Sequence, residues 1–251
     1  MLDCKRIALV TDFGIASPYL GQIRLLLAAA FPSLPVIELI SDLPPFRPDL
    51  AAYLLPGLVR DLPSSTLFLT VVDPGVGSER RALLLEADGN LFLGPDNGLL
   101  AMIARRARQC RIWCLDWRPI RLSATFHGRD LFAPAAIALL RGETLSWSSL
   151  TLEDLAGSAW PEELPRIVYQ DTYGNLMLGI RAEKIESATL ISLGGQALSW
   201  ARTFSAVPAG QAFWYENAFG LVEVAVNQGS AAQTLGLSVG QVVTLAGFPM
   251  A

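Results

Sequence analysis

Thr66-Leu67-Phe68-Leu69-Thr70-Val71-Val72 runs directly into Asp73-Pro74-Gly75-Val76-Gly77-Ser78-Glu79-Arg80-Arg81. A short apolar, β-branched run that stops at an acid and a Pro-Gly turn reads as a buried strand followed by a tight loop. Comparable runs occur at Arg6 to Thr11, Val36 to Ile40, Ala82 to Ala87 and Arg111 to Leu115. Between them, apolar residues recur at helical spacing over Pro18 to Phe31, Leu50 to Val59, Asn97 to Ala107 and Asp130 to Leu140. This alternation predicts an α/β domain with a mainly parallel sheet flanked by helices. Asp88-Gly89-Asn90 reads as a hairpin turn into Leu91-Phe92-Leu93. Ligands of such sheets bind beyond the carboxyl ends of the strands, a rule that gathers Asp12, Asp42 and Asp73 around one crevice.

The character of the chain changes after residue 145. Residues 146–165 are rich in Ser, Thr, Glu, Trp and Pro without a sustained period, and read as a linker with one short helix. Residues 166–251 hold short alternating segments separated by glycine turns: Arg166 to Asp171, Leu176 to Ile180, Ala188 to Leu193, Ala212 to Glu216, Leu221 to Val226 and Gln241 to Ala246. That spacing predicts a smaller antiparallel β-barrel or sandwich domain behind an N-terminal domain of residues 1–145.

Composition excludes several classes of function. A net charge of -4 and only two lysines, Lys5 and Lys184, do not build a surface for nucleic-acid phosphates. No apolar run reaches the roughly 18 residues of a membrane span, and Asp3, Lys5 and Arg6 interrupt any leader-like start. Cys4, Cys110 and Cys114 form neither a disulfide framework nor a metal site, which points to a reducing cytoplasm. The apolar fraction of 52% against 17% charged residues implies extra buried surface, as between subunits.

The only histidine lies in Thr125-Phe126-His127-Gly128-Arg129-Asp130. Imidazole titrates near neutrality, so a lone copy between glycine and charge suits proton handling. With no second histidine, a zinc site is not expected. Asp73-Pro74-Gly75-Val76-Gly77 lets backbone approach a ligand closely but lacks the Gly-Lys-Ser/Thr of a phosphate loop. Asp12 in Thr11-Asp12-Phe13-Gly14 follows the first strand, where a carboxylate accepts from a ribose diol. Phe46, in the rigid Ser41-Asp42-Leu43-Pro44-Pro45-Phe46 loop, is an exposed aromatic suited to covering a flat or cationic ligand. Gly94-Pro95-Asp96-Asn97-Gly98 reads as a helix-capping turn. Asp171-Thr172-Tyr173-Gly174-Asn175 reads as a hairpin turn accompanied by an acid and an aromatic. Asn217-Ala218-Phe219-Gly220 and the later Asn227-Gln228-Gly229 add polar groups near strand ends.

Taken together and in this order, these segments resemble the S-adenosyl-L-methionine (SAM) hydroxide adenosyltransferases, the adenosine-forming SAM hydrolases related to fluorinase and chlorinase. The resemblance rests chiefly on Val72-Asp73-Pro74-Gly75-Val76-Gly77 with Arg80 and on Phe126-His127-Gly128-Arg129-Asp130. It implies an N-terminal α/β domain, a C-terminal β-barrel, and a homotrimer whose sites lie between one subunit's first domain and its neighbour's second. It also implies a water-activating triad of Asp73, Arg80 and His127, with no metal or organic cofactor. By the same match Asp12 binds the ribose, Phe46 covers the ligand, Asp171 holds the methionine amino group, and Tyr173 and Asn175 contact the adenosine part. Ala218, Phe219 and Asn227 complete the implied substrate contacts. The halogenating relatives carry Tyr in the places of Asp73 and His127, so this chain resembles the hydrolase branch. It departs from the pattern at Tyr173, usually Phe, at Leu178-Gly179, usually Thr-Asn, and at Ala218, usually Ser.

The implied chemistry is in-line attack of water or hydroxide on the ribose 5′ carbon with methionine as leaving group. In that scheme His127 is the candidate base, Arg80 favours hydroxide, and Asp73 orients them. Two other readings stand beside it: a SAM- or adenosine-binding sensor without turnover, and a halide-dependent SAM transferase. A phosphate-ester hydrolase is disfavoured by the missing lysine and metal carboxylates.

Overall fold

The structure, a computed structural model, describes residues 3–245. Contacts divide the chain into two compact units. One comprises the residues up to Ala52 with Leu62–Ala159, and the other Tyr53–Asp61 with the residues from Trp160 onward.

The first unit is built on β1 (Arg6–Thr11), α1 (Pro18–Ala30), β2 (Val36–Ile40), α2 (Pro48–Val59), β3 (Thr66–Val71), β4 (Ala82–Ala87), β5 (Asn90–Pro95), α3 (Ala101–Arg106), β6 (Cys110–Leu115), α4 (Ala133–Leu140) and β7 (Trp147–Leu150). The division between units passes within α2. Its strands form one seven-stranded sheet in the order β2-β1-β3-β5-β4-β6-β7. The sheet is mixed. β2, β1, β3 and β5 are parallel neighbours, whereas the β5/β4, β4/β6 and β6/β7 pairs are antiparallel. The antiparallel part starts at a turn whose central residues, Asp88 (φ 45°) and Gly89 (φ 79°), both take positive φ, as a two-residue hairpin matched to strand twist requires.

Strand alternation decides which side chains meet the helices. Ile7 and Leu9, Leu67, Leu69 and Val71, and Leu91 and Leu93 share one core with Leu20, Ile23 and Leu27 of α1 and with Ala133, Ala136 and Leu139 of α4. On the opposite parity Phe68 stacks on Phe92 with centroids 4.8 Å apart. Residues 146–165 are not a plain linker with a short helix, because Trp147–Leu150 pairs with Cys110–Leu115 as β7. Trp147 packs into the same core, a gain of apolar burial that a Ser-rich composition conceals.

The second unit contains two antiparallel sheets. The four-stranded one has the order β12-β13-β9-β8, from β8 (Leu164–Gln170), β9 (Leu176–Arg181), β12 (Ala212–Glu216) and β13 (Leu221–Val226). The three-stranded one is β11-β10-β14, from β10 (Ile191–Leu193), β11 (Gln196–Leu198) and β14 (Thr244–Leu245). The strand expected over Gln241 to Ala246 is thus short, and its last residue lies outside the described residues. A short helix, α5 (Ala231–Leu235), follows Ser230, whose Oγ accepts from Gln233 N as an N-cap.

Two glycines make opposite demands. A Cβ at Gly94 would overlap the Thr70 carbonyl and Oγ1 on the neighbouring strand, whereas one at Gly21, exposed inside α1, would meet nothing within 4 Å. Gly94→Ala is therefore expected to destabilise by about 1–3 kcal/mol, and Gly21→Ala to stabilise by up to about 1 kcal/mol. Shifts of the urea midpoint in opposite directions are the check.

Candidate active site

The loop after β3 and the turn before α4 converge on Arg80. Its Nε donates to Asp73 Oδ1 at 2.6 Å, and its Nη2 donates to Asp73 Oδ2. The same Nη2 donates to His127 Nδ1 at 2.9 Å. Phe132 lies under the guanidinium, 5.2 Å from Cζ to the ring centroid. The Arg80 and Asp73 side chains are only 8% and 5% exposed, so the bidentate pair is desolvated.

Local structure explains how residues so far apart in sequence meet. Gly77 has φ +83°, and a Cβ there would sit 2.5 Å from the Ala124 carbonyl oxygen, so the 73–80 loop closes on the 118–126 segment only with glycine. Asn97 Nδ2 donates to Val72 O at 2.8 Å, fixing the backbone just before Asp73. Asn97 also accepts from Leu99 N, but α3 begins only at Ala101, so Asn97 buttresses the site loop rather than capping that helix. The helix expected over Asp130 to Leu140 opens as a π-helical turn, Gly128–Phe132, with His127 at its head. Such turns are frequent at functional sites. Gly128 is closely packed there: a Cβ would lie 3.1–3.2 Å from Ile23, Phe126 and Phe13. Arg129 and Asp130 pair with each other, and Asp130 accepts from Ser123 N, so these two hold the loop rather than the site.

A cavity of about 310 Å³ is lined by Arg80, His127, Arg118, Glu79, Ala124 and Leu131, among others. His127 is buried, at 7% exposure. Burial first, then the Arg80 charge, hold its pKa below the usual 6.5, against an opposing pull from Asp73. Arginine has only donors, so Nδ1 must be the acceptor and the neutral ring carries its proton on Nε2.

Asp12, just after β1, accepts from Phe46 N at 3.1 Å. Burial raises its pKa, and the charge of Asp73 adds to the effect, so the two carboxylates share one electrostatic environment. Phe46 takes φ 61° and is 73% exposed, an outlying backbone for a bulky side chain held by the Asp12 contact. Phe13, Tyr19 and Phe126 form a cluster of edge-to-face rings, which ties the Asp12 turn to the His127 turn.

The remaining expected residues lie in the second unit. Asp171 Oδ1 accepts from Tyr173 N and Asn175 N at 2.9 and 2.8 Å, and Oδ2 accepts from Asn175 Nδ2 at 2.8 Å. The Tyr173 side chain is free of this knot and 78% exposed. Asn175 is buried. Ala218 is exposed, and Phe219 N donates to Asn217 Oδ1. Asn227 Nδ2 is spent on Val207 O at 2.7 Å, which makes Asn227 a tie for the 207–211 loop. Sequence reading missed Asn217 and Glu223 as individual residues. Glu223 is 2% exposed within the wholly buried strand Leu221–Val226, and an acid amid Leu-Val-Val-Ala-Val was the available signal. Among the described residues no group of three or more His, Cys, Asp or Glu is gathered as a metal would require, and no helix is long and apolar enough to cross a membrane.

Comparisons with known proteins place these features in a family. The SAM hydroxide adenosyltransferase N-terminal domain matches residues 7–148, and the C-terminal domain of the same family matches residues 165–244. An (R)-S-adenosyl-L-methionine hydrolase of Thermus thermophilus is 34% identical over 94% of this chain and 97% of its own. A protein of the same name from Salinispora arenicola is 34% identical over 96% of this chain and 97% of its own. The crystal structure of an uncharacterized conserved protein from Thermotoga maritima superposes with TM-score 0.79 at 27% identity, covering 94% of this chain and 98% of that one.

Because His127 is the only histidine, its ring resonance can be followed without assignment. Its NMR titration midpoint is expected below 6.5; a midpoint at or above that value would refute the neutral, Arg80-bonded ring. The unfolded chain then takes up the proton first as pH falls, so folding stability is expected to decline below about pH 6.5, a decline that His127→Gln removes.

Proposed function

The chain belongs to the SAM hydroxide adenosyltransferase family, and from that membership we propose that it hydrolyses SAM to adenosine and L-methionine. The observation that carries the site assignment is the buried Asp73–Arg80–His127 chain of hydrogen bonds beside a cavity. A pure binding module has no use for a desolvated ion pair coupled to a neutral imidazole.

In the proposed reaction water attacks the ribose 5′ carbon opposite the sulfonium. The carbon–sulfur electron pair leaves with methionine, and the water gives up one proton. A sulfonium leaves without protonation, so the site need only align the nucleophile and manage that proton. Alignment alone supplies on the order of 7 kcal/mol. Asp73 fixes the guanidinium, and Arg80 places a positive charge where hydroxide character develops. His127 is held neutral and so able to accept a proton. Its Nδ1 lone pair is occupied by Arg80, however, so base action at Nδ1 requires the incoming water to displace that contact. Asp12 receives the ribose hydroxyls and Phe46 covers the ligand. Asp171 holds the methionine amino group, Tyr173 and Asn175 serve the adenosine part, and Ala218 and Phe219 border the methionine end. Asn227 acts on the substrate only through the loop it ties.

The acting form in this proposal is a cytoplasmic homotrimer in which the first domain of one subunit and the second domain of its neighbour share each site. Exposed Ile15, Tyr19, Leu25 and Tyr173 offer apolar surface for such contacts, and the three cysteines are free thiols. The two antiparallel sheets of the second unit are read as one small barrel. Isolated bridges support this closure, joining Trp200, after β11, to Trp214 of β12 and Arg166 of β8 to Val242, before β14.

Incubation with SAM in water enriched in heavy oxygen is expected to give labelled adenosine and methionine, whether or not chloride is present. Chloro-adenosine would instead assign a halide transferase, and intact SAM despite binding would assign a sensor. His127→Ala and Arg80→Ala are each expected to lower kcat by roughly 100-fold or more. Turnover unchanged in a folded His127→Ala variant would remove that residue from the base role.

A further inference from the structure

The mechanism leaves one buried ionisable group unused. Glu223 projects from β13 on the face shared with Tyr215, its register partner on β12, and opposite Met177 on β9. Neighbouring positions of β13, Val222 and Val224, join the apolar core on the other face. A carboxyl group at 2% exposure is costly unless its oxygens are paired, and here both are. Oε1 accepts from Tyr215 OH, and Oε2 accepts from Asn217 Nδ2 at 2.7 Å.

The second bond has a consequence for the turn between β12 and β13. With Nδ2 committed to a carboxylate, the Asn217 amide can take only one orientation, and Oδ1 faces the turn. That oxygen accepts from Phe219 N at 2.9 Å and Leu221 N at 3.0 Å. Glu223 thus determines, through Asn217, the conformation of the segment that carries Ala218 and Phe219. It also lies within electrostatic range of Asp171, whose charge, after burial, helps to hold the Glu223 carboxyl above the usual carboxylate range. The register agrees: Glu223 lies opposite Met177, whose partner on β8 is Tyr169, two residues before Asp171. Like charges held together in a fold make a site that a cation relieves.

We propose that Glu223 is a positioning residue for the cationic methionine end of the substrate: it locks the 217–221 turn through Asn217 and adds a second negative charge behind Asp171. The proposal rests on the assignment of Asp171 to the substrate amino group. Tyr215, Asn217 and Asp171 are the polar groups that bear on it, and Met177 on β9 is neutral.

The test compares a charged ligand with an uncharged one. Glu223→Gln, which keeps shape and removes charge, is expected to raise KM for SAM about tenfold with kcat within about twofold. It is also expected to weaken binding of L-methionine while leaving adenosine unaffected. Equal weakening of both ligands would reduce Glu223 to a structural support of the turn, and no change in either would overturn the proposal outright. Tyr215→Phe provides a second arm that leaves the acid in place. Loss of the phenol bond raises the Glu223 carboxyl further, so the rise of KM as pH falls is expected to begin at higher pH than in the wild type; an unmoved profile overturns the charge role. Failure of the wild type to hydrolyse SAM would sink the hydrolase reading alone, because the comparison of L-methionine with adenosine still judges Glu223. Absence of any L-methionine binding by the wild type would sink both.

Discussion

The guanidinium of Arg80 is the constraint on which the geometry of the first unit's candidate site depends. One planar group with fixed donors meets a carboxylate in a bidentate fork, an imidazole nitrogen and an aromatic ring. Lysine could not substitute, because a point charge on a flexible stem does not fix the carboxylate plane by a bidentate fork. A buried ion pair of this kind adds little net stability, since desolvation offsets most of the Coulomb attraction, whereas deleting one partner leaves an uncompensated charge at a cost of roughly 3–5 kcal/mol. Its value therefore lies in geometry. Removing either partner disturbs folding and the site together, so the chemistry of this cluster is best read from variants shown to be folded.

The fold was legible where local and tertiary demands coincide. Arg6–Thr11, Val36–Ile40 and Ala82–Ala87 are strands with the bounds their apolar runs suggest, and Asp88-Gly89 forms the turn that its positive φ values permit. Reading failed where tertiary contacts decide. β7 is written in Trp-Ser-Ser-Leu, a composition that looks like linker until Trp147 finds the core. The mixed sheet is partly such a case: the Asp88-Gly89 turn discloses the antiparallel β4/β5 pair, but apolar runs alone do not disclose that β4/β6 and β6/β7 are antiparallel too. Asn97 resembles a helix cap by position, yet its amide serves Val72 across the loop.

The same division holds at the site. Asp73 and His127 stand out in the sequence through the glycines beside them and the uniqueness of the histidine, and the family resemblance joins Arg80 to them as a candidate triad. Their mutual arrangement does not stand out, since the π-helical turn that presents His127 depends on packing of Gly128 against Ile23, Phe126 and Phe13. Nor does the sequence disclose that Nδ1 is already occupied by Arg80. Glu223 was the reverse case: the anomaly of an acid in a buried strand was in plain view, but its meaning required the partners Tyr215 and Asn217.

The candidate residues of the two units sit in different electrostatic surroundings. In the first unit Arg80 and Arg118 line the cavity at His127, and burial first, then the Arg80 charge, depress the imidazole pKa. In the second, burial and then the charge of Asp171 hold the Glu223 carboxyl above the usual carboxylate range. A nucleophile that gains hydroxide character is stabilised by positive charge, and a substrate bearing an ammonium and a sulfonium by negative charge. A single local field of one sign cannot serve both, because the field that favours hydroxide also repels the cation it must attack. The proposed reaction assigns the first role to Arg80 and the second to Asp171. Asp73 is neutralised by a bidentate arginine, whereas Glu223 is paired only with neutral donors.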